Sequence, residues 1–155
     1  FMAQLVIDVA KFANYCRKRD IQPCIRLNGT TDIRWELILI DGKNIFERFP
    51  NVQWYDYTKI PNRKVSHLSN YHLTWSYSAA NPKYEQYFDE VIRNGMSVAV
   101  VFRKPINLNT WRGYKVVDGD KDDLRFLDPK QSIVALYAKG KAKKDTSGFV
   151  VDIAA

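Results

Sequence analysis

One stretch limits the fold more than any other. Over residues 81–102 an amphipathic helix runs through a glycine straight into an apolar strand. Asn81 suits the cap, Pro82 the first helical position and Gly95 the exit. Between them Tyr84, Tyr87, Phe88, Val91 and Ile92 form one stripe at helical spacing. Met96-Ser-Val-Ala-Val-Val-Phe102 is apolar enough for a strand covered on both faces. Helix, tight turn and buried strand make a βαβ signature, which predicts a parallel sheet.

The flanking segments extend that pattern. Leu5, Val6, Val9, Phe12, Ala13 and Cys16 predict an N-terminal helix, whose last turn carries Arg17, Lys18 and Arg19 where cations complement the helix dipole. Residues 23–29 read as a short strand ending at Gly29. A brief helix is expected from about Thr31, interrupted at Asp41-Gly42, with further helical turns over 43–49 before Pro50. Residues 51–59 and 71–78 read as aromatic and β-branched strands joined by a polar connection. In the last third, short strands near 115–118, 124–127, 132–138 and 148–153 crowd together without room for helices, which predicts a mixed or antiparallel region. Residues 132–137 and 148–153 are expected to pair as a hairpin with a lysine run at its tip. The predicted fold is α/β, a partly parallel, partly mixed sheet flanked by helices, with a partial βα barrel as one form it can take. The 155 residues suit a single domain, 1–155, without repeats or linkers.

No stretch approaches the roughly 18 apolar residues a bilayer span needs. In the N-terminal segment the positive charges follow the apolar part, the reverse of a secretory signal. Cys16 and Cys24 are the only cysteines, and their spacing matches neither a metal-ligand series nor a redox motif. Two free thiols suit a reducing compartment, so a cytoplasmic location is expected, with no membrane partner and no cofactor. The formal charge is +7, and four of the positives lie in the six residues Lys139-Gly-Lys-Ala-Lys-Lys144. A basic balance favours polyanionic partners.

Candidate chemistry falls in two places. In a parallel sheet the C-terminal strand ends share one rim, the usual ligand edge. Arg26, Asn28, Thr30, Thr31 and Asp32 would stand there after the first strand and Asp56, Thr58 and Lys59 after the second; His72, Thr74, Ser76 and Ser78 lie along the third, and Arg103 and Lys104 follow the fourth. Arg26, Asp32, Asp56 and Lys59 are expected in one polar cluster, with His72 the natural general base because imidazole titrates near neutrality. The second place is Lys139, Lys141, Lys143 and Lys144, whose interleaved Gly and Ala would allow close approach to a phosphate backbone. Trp54, Tyr57, Trp75, Tyr77 and Trp111 could stack bases, although most are expected to build core. Asp118, Asp120 and Asp122 alternate as at the start of a calcium loop, but Asp123 stands where its glycine belongs and Pro129 where its closing glutamate belongs, so no metal site is expected. Nucleophile-elbow, phosphate-loop and dinucleotide motifs are absent.

The blocks RLNGTTDIRWE, FPNVQWYDYTK, NYHLTWSYS, VAVVF, VVDGDKDDLRFLDP and AKGKAKKDTSGFVV, in this order, resemble a family of bacteriophage proteins and are similar to the phage gene product eighty-eight group. The resemblance runs from about residue 22. Longer members begin with a cysteine-rich segment, so this chain is expected to correspond to the C-terminal part, without any metal centre such cysteines carry. A phage origin is what the resemblance implies. The favoured function is a small phage-encoded accessory protein that binds nucleic acid or a host nucleoprotein complex, with counter-defence (anti-CRISPR or nuclease inhibition) as one form. The alternatives are an enzyme with an anion-binding site on the strand-end rim, and a protein-binding module without nucleic-acid contact.

Overall fold

The computed structural model describes residues 1–153. In chain order the elements are α1 (Met2–Arg17), β1 (Cys24–Ile25), α2 (Ile45–Arg48), β2 (Gln53–Thr58), β3 (Tyr71–Ser76), α3 (Pro82–Arg93), β4 (Ser97–Phe102), β5 (Thr110–Trp111), β6 (Tyr114–Asp118) and β7 (Ile133–Tyr137). Three 3-10 turns, Trp35–Leu37, Arg125–Leu127 and Gly140–Lys144, punctuate the connections. The strands form one sheet in the order β1-β2-β3-β4-β7-β6-β5. Every neighbouring pair is parallel except β5 with β6.

Handedness explains how the two faces differ. From β1 to β4 each crossover steps in the same direction across the sheet, so right-handed connections all fall on one face. That face carries the core: Trp54, Tyr71, Leu73, Trp75, Val98, Val100, Phe102, Ile133 and Ala135 pack with Val9 of α1, Phe46 of α2 and Phe88, Val91 and Ile92 of α3. Phe46 stacks on Tyr71 at 4.0 Å between centroids, and Tyr84 meets Trp75 edge-on at 5.4 Å. Between β6 and β7 the chain steps back, so the same handedness sends residues 119–132 over the opposite face. Phe126 lies 5.5 Å from Tyr55 there. At Gly119 a Cβ would come within 2.5 Å of the Val134 methyl, so only glycine lets the chain cross so closely.

The α3–β4 unit forms as the sequence predicts, with the Asn81 side chain accepting from the Lys83 N–H. The last third departs from expectation. Residues 125–127 form a 3-10 turn instead of a strand, because Arg125 is drawn inward and buried. β6 and β7 pair in parallel, which leaves the two-residue β5 as the antiparallel element. The expected 132–137/148–153 hairpin does not form: both edges of β7 are already occupied by β4 and β6. Instead Val151 makes a parallel bridge to Phe102, filling the edge of β4 that lies beyond the end of β3. The first strand is shorter than predicted, since Asn28 turns out of the ladder to bond its own loop.

Candidate functional site

At the C-terminal end of β1 and β2, the loop 28–32 and residues Tyr57–Lys59 line a shallow groove of about 330 Å³, together with Arg26 and Ser76. The loop is held by one side chain. Asn28 Oδ1 accepts from Trp35 Nε1 at 2.8 Å, Thr31 Oγ1 at 3.0 Å and the Ile33 N–H at 3.1 Å, while its Nδ2 donates to the Ile33 carbonyl at 3.0 Å. Asp32 turns inward: Oδ1 accepts from Thr58 Oγ1 at 2.6 Å and Oδ2 from the Lys59 N–H at 2.7 Å. Arg26 lies over the Tyr57 ring at 5.1 Å. Neither Arg26 nor Lys59 makes an ion pair among the described residues.

Beneath this groove sits a buried ionic network. Arg63, fully buried, grips Glu36 with two bonds, Nε to Oε1 at 2.9 Å and Nη2 to Oε2 at 2.6 Å. Its Nη1 reaches Asp32 Oδ1 at 3.3 Å and Nη2 also donates to the Tyr71 hydroxyl at 3.0 Å. That hydroxyl donates to Asp56 Oδ2 at 3.2 Å, and the Asn28 N–H donates to Asp56 Oδ1 at 2.7 Å. Burial pushes the Asp56 carboxyl up to about 6, outweighing the two hydrogen bonds and the nearby Arg63 and Arg26. Burial also raises the Tyr71 phenol well above its ordinary range. A network so fully partnered has a structural role of its own, since a buried charge without a partner is costly.

Of the sequence-predicted rim residues, Asp32 and Asp56 meet in this network through Arg63 and Tyr71. Arg26 and Lys59 stand at the groove above it, exposed. His72 does not belong with them. It is the second residue of β3, at the opposite end of the strand, and its register partner is Tyr55 on the face crossed by residues 119–132. A strand alternates faces, so Tyr71 and Leu73 point into the core while His72 points away. Burial lowers the His72 imidazole to about 4, with Lys130 and Arg125 adding to the effect. It is therefore neutral near pH 7, and its Nε2 has no hydrogen-bond partner among the described residues. Sequence reading missed the roles of Arg63, Glu36, Tyr71 and Arg125, all of them buried. Arg125 sits 3.1 Å from Asp128 and bonds the carbonyl of Asp122.

The lysine run forms the 3-10 turn just beyond β7, so it too stands on the C-terminal rim, not on a hairpin tip. Lys139 Nζ pairs with Asp120 Oδ1 at 2.7 Å. That pair, together with an N–H bond from Tyr137, holds the Asp120 carboxyl below its ordinary range. Lys141, Lys143 and Lys144 are exposed and have no ion pair among the described residues. Arg103 anchors the turn, donating to the carbonyls of Lys143 and Asp145, both at 2.8 Å, and pairing with Asp152 at 2.6 Å. In the acidic stretch, Asp118 and Asp122 each accept a backbone N–H two residues on, as turn formers do. Among the described residues, no group of three or more His, Cys, Asp or Glu side chains could hold a metal ion. Nor is any helix among them long and apolar enough to cross a membrane.

The family model for gene product 88 matches residues 1–153, so its span takes in α1 as well as the blocks beyond residue 22. No curated protein and no solved structure matches the chain. The chain belongs to the gene product 88 family.

Proposed function

We propose, starting from membership of the gene product 88 family, that this is a phage-encoded accessory protein whose strand-end rim contacts the phosphate backbone of nucleic acid, alone or within a host nucleoprotein complex. One observation carries the reading. Parallel topology brings Arg26, Lys59, Lys104, Lys141, Lys143 and Lys144, from four separate connections, to one edge of the sheet, and none of them has a carboxylate within ion-pair distance among the described residues. Three acidic groups on the same edge are engaged by other cations, Asp32 by Arg63, Asp120 by Lys139 and Asp152 by Arg103, while Asp118 and Asp145 accept from neighbouring N–H and hydroxyl groups of their own turns. Unpaired cations along one edge favour a polyanion and a sequence-independent mode of contact. A counter-defence role, in which the rim competes for the nucleic acid of a host nuclease or effector, is the form of this function we favour.

Enzyme chemistry at the rim draws less support. It needs an acid and a base that converge, and His72 stands on the opposite face from Asp56. Fluorescence anisotropy with labelled duplex and single-stranded DNA at low salt tests the proposal. Saturable binding that weakens as salt rises is expected; no binding of either probe at low salt rejects it.

A further inference from the structure

The groove between Arg26 and Lys59 has a feature that the rim cations alone do not explain. Loop 28–32 spends its bonding capacity inward, through Asn28 and Asp32. The backbone N–H groups of Gly29, Thr30, Thr31 and Asp32 have no hydrogen-bond partner among the described residues. Four successive free donors at the end of a parallel strand, flanked by two unpaired cations, form the kind of concavity that binds anions. Gly29 leaves the approach open, since nothing lies within 4 Å of where its Cβ would be. Asp32, the only carboxylate lining the groove among the described residues, has one oxygen on Thr58 and Arg63 and the other on the Lys59 N–H. Arg26 lies against the Tyr57 ring, which leaves the edge of its guanidinium free to donate.

We infer that this groove seats a phosphate monoester, with Arg26, Lys59 and the N–H groups of residues 29–32 as its donors. Two cations match the charge of about −1.5 to −2 that a monoester carries near pH 7, whereas a diester inside a strand carries one. Such a group occurs at the end of a nucleic-acid strand and on a free nucleotide. The inference rests on the nucleic-acid reading for the choice between those sources, but not for the seat itself.

The test compares three probes with the full chain: a 5′-phosphorylated oligothymidylate, the same strand with a 5′-hydroxyl, and thymidine 5′-monophosphate. The phosphorylated strand should bind about tenfold or more tightly than the hydroxyl strand, as loss of even one hydrogen bond to a charged group implies. Arg26→Gln with Lys59→Gln should abolish that preference. Both residues are exposed, so the variant should fold, which its thermal melt checks. Replacing Lys141, Lys143 and Lys144 with Gln should weaken both strands and keep the preference. Equal affinity for the two strand ends, or a preference that survives in the Arg26/Lys59 variant, overturns the seat. Saturable monophosphate binding without oligonucleotide binding keeps the seat, assigns it to free nucleotides and rejects the nucleic-acid reading.

Discussion

Arg63 and Lys143 are both cations on a connection that follows a parallel strand of the same sheet, yet one is wholly buried and the other stands in water. Arg63 is surrounded by Glu36, Asp32 and the Tyr71 hydroxyl and cannot be removed without stranding charge in the interior. Lys143 contributes its backbone carbonyl to Arg103, while its ammonium engages no carboxylate among the described residues. The same charge is thus structural in one place and available to a ligand in the other. Burial and pairing, not residue type, decide which.

The largest effect should come from breaking the buried half of this contrast. Arg63→Ala takes both short bonds from buried Glu36, leaving it only the longer contact with Arg34 at 3.8 Å, and should lower the free energy of unfolding by about 3–5 kcal/mol, read from urea denaturation. Arg63→Met combined with Glu36→Met should recover much of that loss, because an apolar pair removes the stranded charge along with the ion pair. A single variant with a loss under about 1 kcal/mol would show that the network is not buried as described.

Two buried groups should oppose each other in acid. Asp56 has a folded pKa of about 6, above the unfolded carboxyl, so its contribution is present at low pH and is lost as pH rises through about 6. His72 has a folded pKa of about 4, below the unfolded imidazole, so its contribution is present above about 6.5 and is lost as pH falls through about 4. Each is worth up to about 3 kcal/mol, with opposite sign over nearly the same range. Stability of the native chain should therefore change little from these two groups between pH 4 and 6. Asp56→Asn should unmask stability that rises with pH, and His72→Gln stability that falls with it. Identical pH profiles for the native chain and both variants would contradict the burial of these groups.

Smaller again is Tyr71→Phe, which deletes the hydroxyl between Arg63 and Asp56 while keeping the ring stacked on Phe46. A loss of about 1–3 kcal/mol is expected from the bonds left unmade. Near-neutrality would mean that Arg63 and Asp56 find each other without it.

How much of this contrast was legible in the sequence depends on which physical signal carried it. The α3–β4 unit could be read because capping residues, helical spacing and an apolar strand all agree. Arg26, Asp32, Asp56 and Lys59 could be placed near one another because parallel strands put their ends on one rim. Arg63 and Glu36 were not legible: each stands in a polar-looking connection, and only tertiary closure 27 residues apart makes them partners. His72 was misplaced because its alternating neighbours show that it shares a face with Thr74, not which face becomes core. The lysines were found by charge density, but their position on the rim required knowing that β7 inserts between β4 and β6.

At the exposed end of the comparison, replacing Lys139, Lys141, Lys143 and Lys144 with Gln should move stability by no more than about 0.5 kcal/mol, because surface substitutions seldom do more. Lys139 should account for most of any change through its pair with Asp120. A loss several times larger would make the run a structural element like the Arg63 network.

That same quadruple variant gives the most direct test of the rim as a nucleic-acid surface, through the salt dependence of duplex DNA binding. Each phosphate contact contributes roughly −0.9 to the slope of log K against log salt. With Lys139 held by Asp120, the other three lysines should flatten the slope by about 3 units relative to the native chain, about equally for unrelated DNA sequences. An unchanged slope, or a native chain with no detectable binding at low salt, would contradict the account.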